Sequence, residues 1–158
     1  MLNIEKPANE IWETVEGHIN RWLEERQTLI TSYCELSGIK AYGKSAFLNQ
    51  RKLQTFCEQL VDYASKGHFE IYEELTLEAK AFSNNALDLE KIYSKIETTT
   101  EIALEFNDKY DLDKIQPDII TTNLPSDLSK IGEAIALRFD LEDHLINALH
   151  RNNKDIAA

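Results

Sequence analysis

Between residues 8 and 37, Trp12, Val15, Ile19, Trp22, Leu29, Tyr33 and Leu36 follow one another at helical spacing, with Arg26 in the one gap. Steps of three and four bring a side chain back to the same side of an α-helix and of no other regular structure. A helix this long cannot bury its stripe by itself, so other helices must lie alongside it. Gly38 is placed to supply a left-handed position after the last turn, and residues 39–44 turn the chain back.

The same periodicity continues downstream. Ser45 is placed to cap a second helix ending at Lys66, with Leu53, Phe56, Cys57, Leu60, Val61 and Ala64 on its apolar face and Gly67 as its stop. A third helix is expected over 68–82, carrying Phe69, Tyr72 and Leu75 until Ser83-Asn84-Asn85 breaks it. A fourth is expected over 86–107, through Leu89, Ile92, Tyr93, Ile96 and Phe106. Residues 108–125 hold Pro117 and Pro125 among several Asp and Asn, and read as a connection with one helical turn around 112–115. Ser126 or Asp127 then caps a last helix to Leu149, with Leu128, Ile131, Ile135, Leu145 and Leu149 on one side. The expected architecture is all-α: an antiparallel helical bundle of about five main helices, forming one domain over residues 1–158.

Composition narrows the function. The chain has 17 basic and 28 acidic residues, a net charge of −11, which repels phosphate backbones and anionic lipid. No direct nucleic-acid binding and no membrane association are expected; a basic protein partner suits the charge better. The acidity is concentrated in residues 67–127, with 5 basic against 14 acidic residues. That run is either a solvated face or an electrostatic docking surface. No basic leader precedes an apolar stretch and no apolar run is long enough to span a bilayer, so a cytoplasmic location is expected. Cys34 and Cys57 lack metal or redox spacing and read as small buried hydrophobes within helices.

No catalytic template fits. The chain contains no Glu-x-x-His or His-Glu-x-x-His pair, no Gly-rich phosphate loop and no Gly-x-Ser-x-Gly elbow. No enzyme activity, metal or cofactor is expected. His68, at a helix start, leaves a histidine phosphotransfer-type signalling module as the alternative, although the lysine and glycine that usually follow such a histidine are absent. Arg138 and Glu142, spaced i, i+4, interrupt the stripe of the last helix. They read as a salt bridge near the bundle edge or as the lining of a polar groove. Asp62 and Ser65, with Phe69 and Tyr72 beyond a glycine, form a carboxylate and aromatic cluster that suits a protein-binding edge; Phe69 and Tyr72 also read as core.

Three blocks of residues resemble the Rsd/AlgQ family of bacterial anti-sigma factors. The first is Arg21-Trp22-Leu23 with Arg26, Leu29, Tyr33, Leu36, Gly38 and Ile39. The second is Phe56-Cys57, Leu60-Val61-Asp62-Tyr63, Ser65, Gly67-His68-Phe69 and Ile71-Tyr72-Glu73. The third runs through Leu128, Ile131-Gly132-Glu133-Ala134, Arg138-Phe139, Leu141-Glu142-Asp143 and Leu145-Ile146. The Ala41-Tyr42 loop, the stretch 76–125 and the polar tail depart from the family pattern. The resemblance implies a non-enzymatic helical protein that binds the C-terminal DNA-binding region of the primary sigma factor one-to-one. Such binding would block promoter −35 recognition and core docking, and so regulate sigma exchange in stationary phase. Phe69 and Tyr72 would then be anchors, Asp62 and Ser65 polar contacts, and Arg138 with Glu142 would shape the polar interior or groove.

Overall fold

A computed structural model describes residues 6–38, 46–111 and 117–157. Helix α1 spans Ala8–Gly38, α2 Ala46–Lys66, α3 Tyr72–Ala81, α4 Leu89–Lys109 and α5 Pro117–Leu149. A π-turn, Gly67–Ile71, joins α2 to α3, and a 3-10 turn at Arg151–Asn153 leads into a short α6, Lys154–Ala157. There is no strand among the described residues, and five main helices make an all-α bundle.

Pairings across the bundle set its directions. Along α1, Trp22 stacks on Tyr63 and Tyr33 tilts against Phe56, so α2 runs opposite to α1. Trp12 meets His150, Arg26 meets Asp143 and Tyr33 meets Leu128, which makes α5 antiparallel to α1 as well. Thr99 faces Arg138 while Tyr110 faces Asp127, the same relation for α4 and α5. Side chains from all five helices share one core, in which Trp22, Tyr63, Phe56 and Tyr110 are the largest fully buried members.

The α1 stripe is buried at Val15, Ile19, Trp22, Leu29 and Leu36. Trp12 and Tyr33 lie half-buried at its ends because each has a polar atom to satisfy: Trp12 Nε1 donates to the His150 carbonyl and Tyr33 Oη to the Leu128 carbonyl, both at 2.9 Å. The break after α3 also falls where it was expected. Ser83 adopts a left-handed φ of 51°, and Asn84 accepts from the Ala86 amide while donating to the Ala148 carbonyl. Helix α4 starts at Leu89, slightly later than the pattern suggested, because the Asp88 side chain caps the Lys91 amide.

Several expected boundaries are corrected. Gly38 is the last residue of α1 and is not left-handed. α2 ends at Lys66 as expected, but Gly67 does not break the helical path: it opens the π-turn and is buried there because it has no Cβ, which would sit 2.9 Å from Trp22 Cζ2. Pro125 lies inside α5 rather than ahead of it, on an exposed side where water can meet a lost backbone hydrogen bond. Pro117 begins α5, where an N–H would have no intrahelical acceptor and its absence costs no helix hydrogen bond. Ser126 and Asp127 are therefore helix interior, and Asp127 pairs with Lys109 at 2.7 Å and accepts from Tyr110 Oη. The Ser45 cap, the 39–44 turn and the turn at 112–115 lie outside the described residues.

Candidate functional site: an exposed edge over a buried charge network

The π-turn decides which side chains of the second block face water. It takes one residue more per turn than an α-helix and so rotates α3 back, keeping Ile71, Tyr72 and Leu75 on the same side as Leu60, Tyr63 and Ala64. Gly67 closes under Trp22, and His68, Phe69 and Glu70 are turned outward. Phe69 is 70% exposed, the most exposed of the large hydrophobic side chains among the described residues. Asp62 and Ser65 are also exposed, on the outer side of α2.

Tyr72 is not on that surface. It is 6% exposed, and its hydroxyl donates to Glu142 Oε2. The expected pair of anchors is therefore split, with Phe69 outside and Tyr72 beneath. Arg138 and Glu142 are likewise neither at the bundle edge nor in an open groove: they are 3% and 0% exposed.

Glu142 is the hub of the interior. Its Oε1 accepts from Tyr63 Oη at 2.7 Å and from Arg26 Nη2 at 3.4 Å, and its Oε2 accepts from Arg138 Nε at 3.1 Å as well as from Tyr72. Arg138 spreads its remaining donors over Thr99 and Thr100 Oγ1, the Ala64 carbonyl and the Tyr72 hydroxyl, at 3.2, 2.7, 3.4 and 3.0 Å. Arg26, the polar residue in the α1 stripe, donates to Tyr63 Oη at 3.0 Å and to Asp143 Oδ1 at 2.6 Å, with Phe139 4.6 Å from its guanidinium. The network joins α1, α2, α3, α4 and α5 through hydrogen bonds that a buried charge requires.

Burial pushes the Glu142 carboxyl above its usual range, against the pull of Arg138, Tyr63 and Tyr72. Burial and then the Glu142 charge push both the Tyr63 and Tyr72 phenols up, which keeps them protonated as donors. For Arg26, burial alone would lower the guanidinium, but Tyr63, Asp143 and Glu142 outweigh it and raise it. This is a scaffold of satisfied charges under the exposed edge rather than a set of free acids and bases.

Sequence reasoning found Arg138 and Glu142 by their spacing but missed the partners Tyr63, Thr99, Thr100 and Asp143; the one signal for Arg26 was its place in an apolar stripe. It also missed a second buried cluster, where His150 Nδ1 lies 2.6 Å from Glu78 Oε1, His150 Nε2 lies 3.2 Å from Glu16 Oε2, and Asn153 Nδ2 donates to Glu78 Oε2 at 2.8 Å. His68 is exposed and packs edge-on against Phe69, with ring centroids 4.8 Å apart. Both cysteines are free; Cys34 is exposed on α1 rather than buried as expected, and the buried Cys57 thiol is pushed up to about 12 by burial and the Glu58 charge. Among the described residues no cluster of His, Cys, Asp or Glu could hold a metal ion, and no helix is long and apolar enough to cross a membrane.

Comparison with known proteins gives the family. The family described as regulator of RNA polymerase sigma(70) subunit, Rsd/AlgQ, matches residues 1–150. A regulator of sigma D from Yersinia enterocolitica is 40% identical over 130 residues, 81% of this chain and 77% of that protein. One from Enterobacter sp. (strain 638) is 37% identical over 147 residues, 89% of this chain and 87% of that protein. A match of this extent takes in both the exposed edge and the buried network, and the chain belongs to the Rsd/AlgQ family, regulators of the RNA polymerase sigma(70) subunit.

Proposed function

We propose that the chain is an anti-sigma factor that binds the C-terminal DNA-binding region of the primary sigma subunit in a one-to-one complex in the cytoplasm. Occupation of that region blocks its reading of the promoter −35 element and its docking on core polymerase. Core enzyme is thereby released to alternative sigma factors, with stationary phase as the setting. The observation that carries this reading is the family match over residues 1–150. The exposed Phe69, flanked by Asp62 and Ser65, supplies the desolvatable apolar anchor with a polar rim that such an interface needs. Tyr72, Arg138 and Glu142 hold that edge from beneath.

A basic sigma surface evolved to meet phosphate is complementary to a chain of net charge −11, which raises the association rate more than the affinity. The test is transcription from a promoter dependent on its −35 element, with purified core enzyme, primary sigma and increasing amounts of this chain. Inhibition relieved by extra sigma but not by extra promoter DNA is the expected result; no inhibition at a large excess of the chain contradicts the reading. Asp62→Ala is expected to weaken sigma binding about tenfold while leaving helicity and Tm unchanged, because Asp62 is exposed and joins no ion pair among the described residues. Unaltered affinity would remove Asp62 from the interface.

A further inference from the structure

His150 follows directly on Leu149, the last residue of α5, and is completely buried. Both of its ring nitrogens face carboxylates from other helices: Nδ1 lies 2.6 Å from Glu78 Oε1 on α3, and Nε2 lies 3.2 Å from Glu16 Oε2 on α1. An ionised carboxylate can only accept and a neutral imidazole has one N–H, so both bonds form together only when the ring carries two protons. Two further features favour that cation. The Trp12 indole stacks on the ring, with centroids 4.6 Å apart and planes at 11°, and the negative end of the α5 dipole lies beside it. The basic residues nearest in sequence, Arg151 and Lys154, are exposed, and Arg151 Nη1 donates to Asn147 Oδ1 at 2.9 Å. The other histidine between α1 and α3, His18, has its own carboxylate, Glu74, at 2.7 Å.

The end of the chain hangs on this ring. The His150 carbonyl accepts from Trp12 Nε1 at 2.9 Å and from the Asn153 amide at 3.0 Å. Asn153 is buried too; its Nδ2 donates to Glu78 Oε2 at 2.8 Å and to the Leu149 carbonyl at 2.6 Å, and its Oδ1 accepts from Asn84 Nδ2 at 3.0 Å. Glu78 is therefore shared by the ring and by the turn that follows it. A ring with one proton sets a nitrogen lone pair against a carboxylate in a site without water, an arrangement that opens rather than persists. We infer that residues 150–157 are a proton-held latch: the doubly protonated His150 pins them to α1 and α3, and loss of one ring proton releases the 3-10 turn and α6. The latched form binds one proton more than the released one wherever a free histidine is neutral. The released population therefore grows as pH rises, about tenfold per unit above the ordinary histidine value of about 6.5.

Glu78→Gln separates the charge from the shape. The Gln oxygen still accepts from Asn153 Nδ2, its amide nitrogen donates to Nδ1 of a neutral ring, and the remaining ring N–H meets Glu16, so every bond is kept with one proton fewer. The experiment records nitrogen-15 spectra of the full-length chain and of this variant between about pH 6 and about pH 9, reading the His150 ring nitrogens and the amides of residues 150–157. Wild type is expected to show two ring protons at about pH 7 and to lose the native amide signals as the ring gives one up. The variant is expected to show one ring proton and unmoved amides throughout. Glu16→Gln makes the same change from the half-buried side of the ring and keeps the comparison open where Glu78→Gln does not fold. A neutral His150 ring in wild type at about pH 7 would overturn the latch. So would native amide signals that outlast the ring proton, a ring that keeps both protons up to about pH 9, or amides that move with pH equally in wild type and the variants.

Discussion

At the level of single residues, Glu142 and Asp127 illustrate two opposite settings for a carboxylate. Glu142 is completely buried and held by two arginines and two tyrosines. Its removal strands the Arg138 guanidinium in the core, so Glu142→Ala is expected to destabilise the fold by about 3–5 kcal/mol, seen as a drop in the urea midpoint. An unchanged midpoint would mean that the arginines find other partners. Asp127 sits nearer water. Burial alone would raise its carboxyl, but hydrogen bonds from Lys109 and Tyr110 and the charges of Lys109 and Lys130 hold it below its ordinary 3.8. A lowered carboxyl stabilises the fold above its unfolded value and ceases to do so as pH falls through the lowered one. Wild type is therefore expected to melt above Asp127→Asn at about pH 7, with the gap narrowing as pH falls below the ordinary carboxylate value and through the lowered one. A gap that persists in acid would contradict this assignment.

At the level of elements, the π-turn at Gly67–Ile71 explains why Phe69 and Tyr72 part company. The α1 stripe and the last-helix stripe were legible because each repeats over many turns, and Trp22, Ile131 and Leu145 are buried as their spacing requires. The boundary of α2 at Lys66 is legible from Gly67, but the role of that glycine is a close approach to Trp22 and Tyr72, which no local pattern reveals. The same turn sends Phe69 and Tyr72, three residues apart, to opposite sides. Gly67→Ala is expected to lower stability by about 1–3 kcal/mol through overpacking, and to weaken sigma binding by disturbing Phe69. A fully stable Gly67→Ala chain with wild-type affinity would show that Trp22 can give way and that the turn does not set the edge. Pro125 misled in the other direction: the apolar stripe of α5 overrides a proline whose position is exposed.

At the scale of the whole molecule, five helices from one chain converge on a charged interior and present one aromatic at its edge. The helix count and all-α class followed from periodicity, and Arg138 with Glu142 followed from their spacing. Their burial did not, because Arg26, Tyr63, Tyr72 and Thr99 come from four other helices and only the assembled bundle brings them together. The exposed edge was partly legible in the same way: Asp62, Ser65 and Phe69 face water, but only the fold separates them from the residues that support them. The proposed function requires this edge to capture the basic C-terminal region of the primary sigma factor. Calorimetric titration of the purified chain with that sigma fragment, at low and at high salt, tests it most directly. A one-to-one complex that weakens as salt rises is expected; no heat and no co-elution at either salt would overturn the anti-sigma proposal.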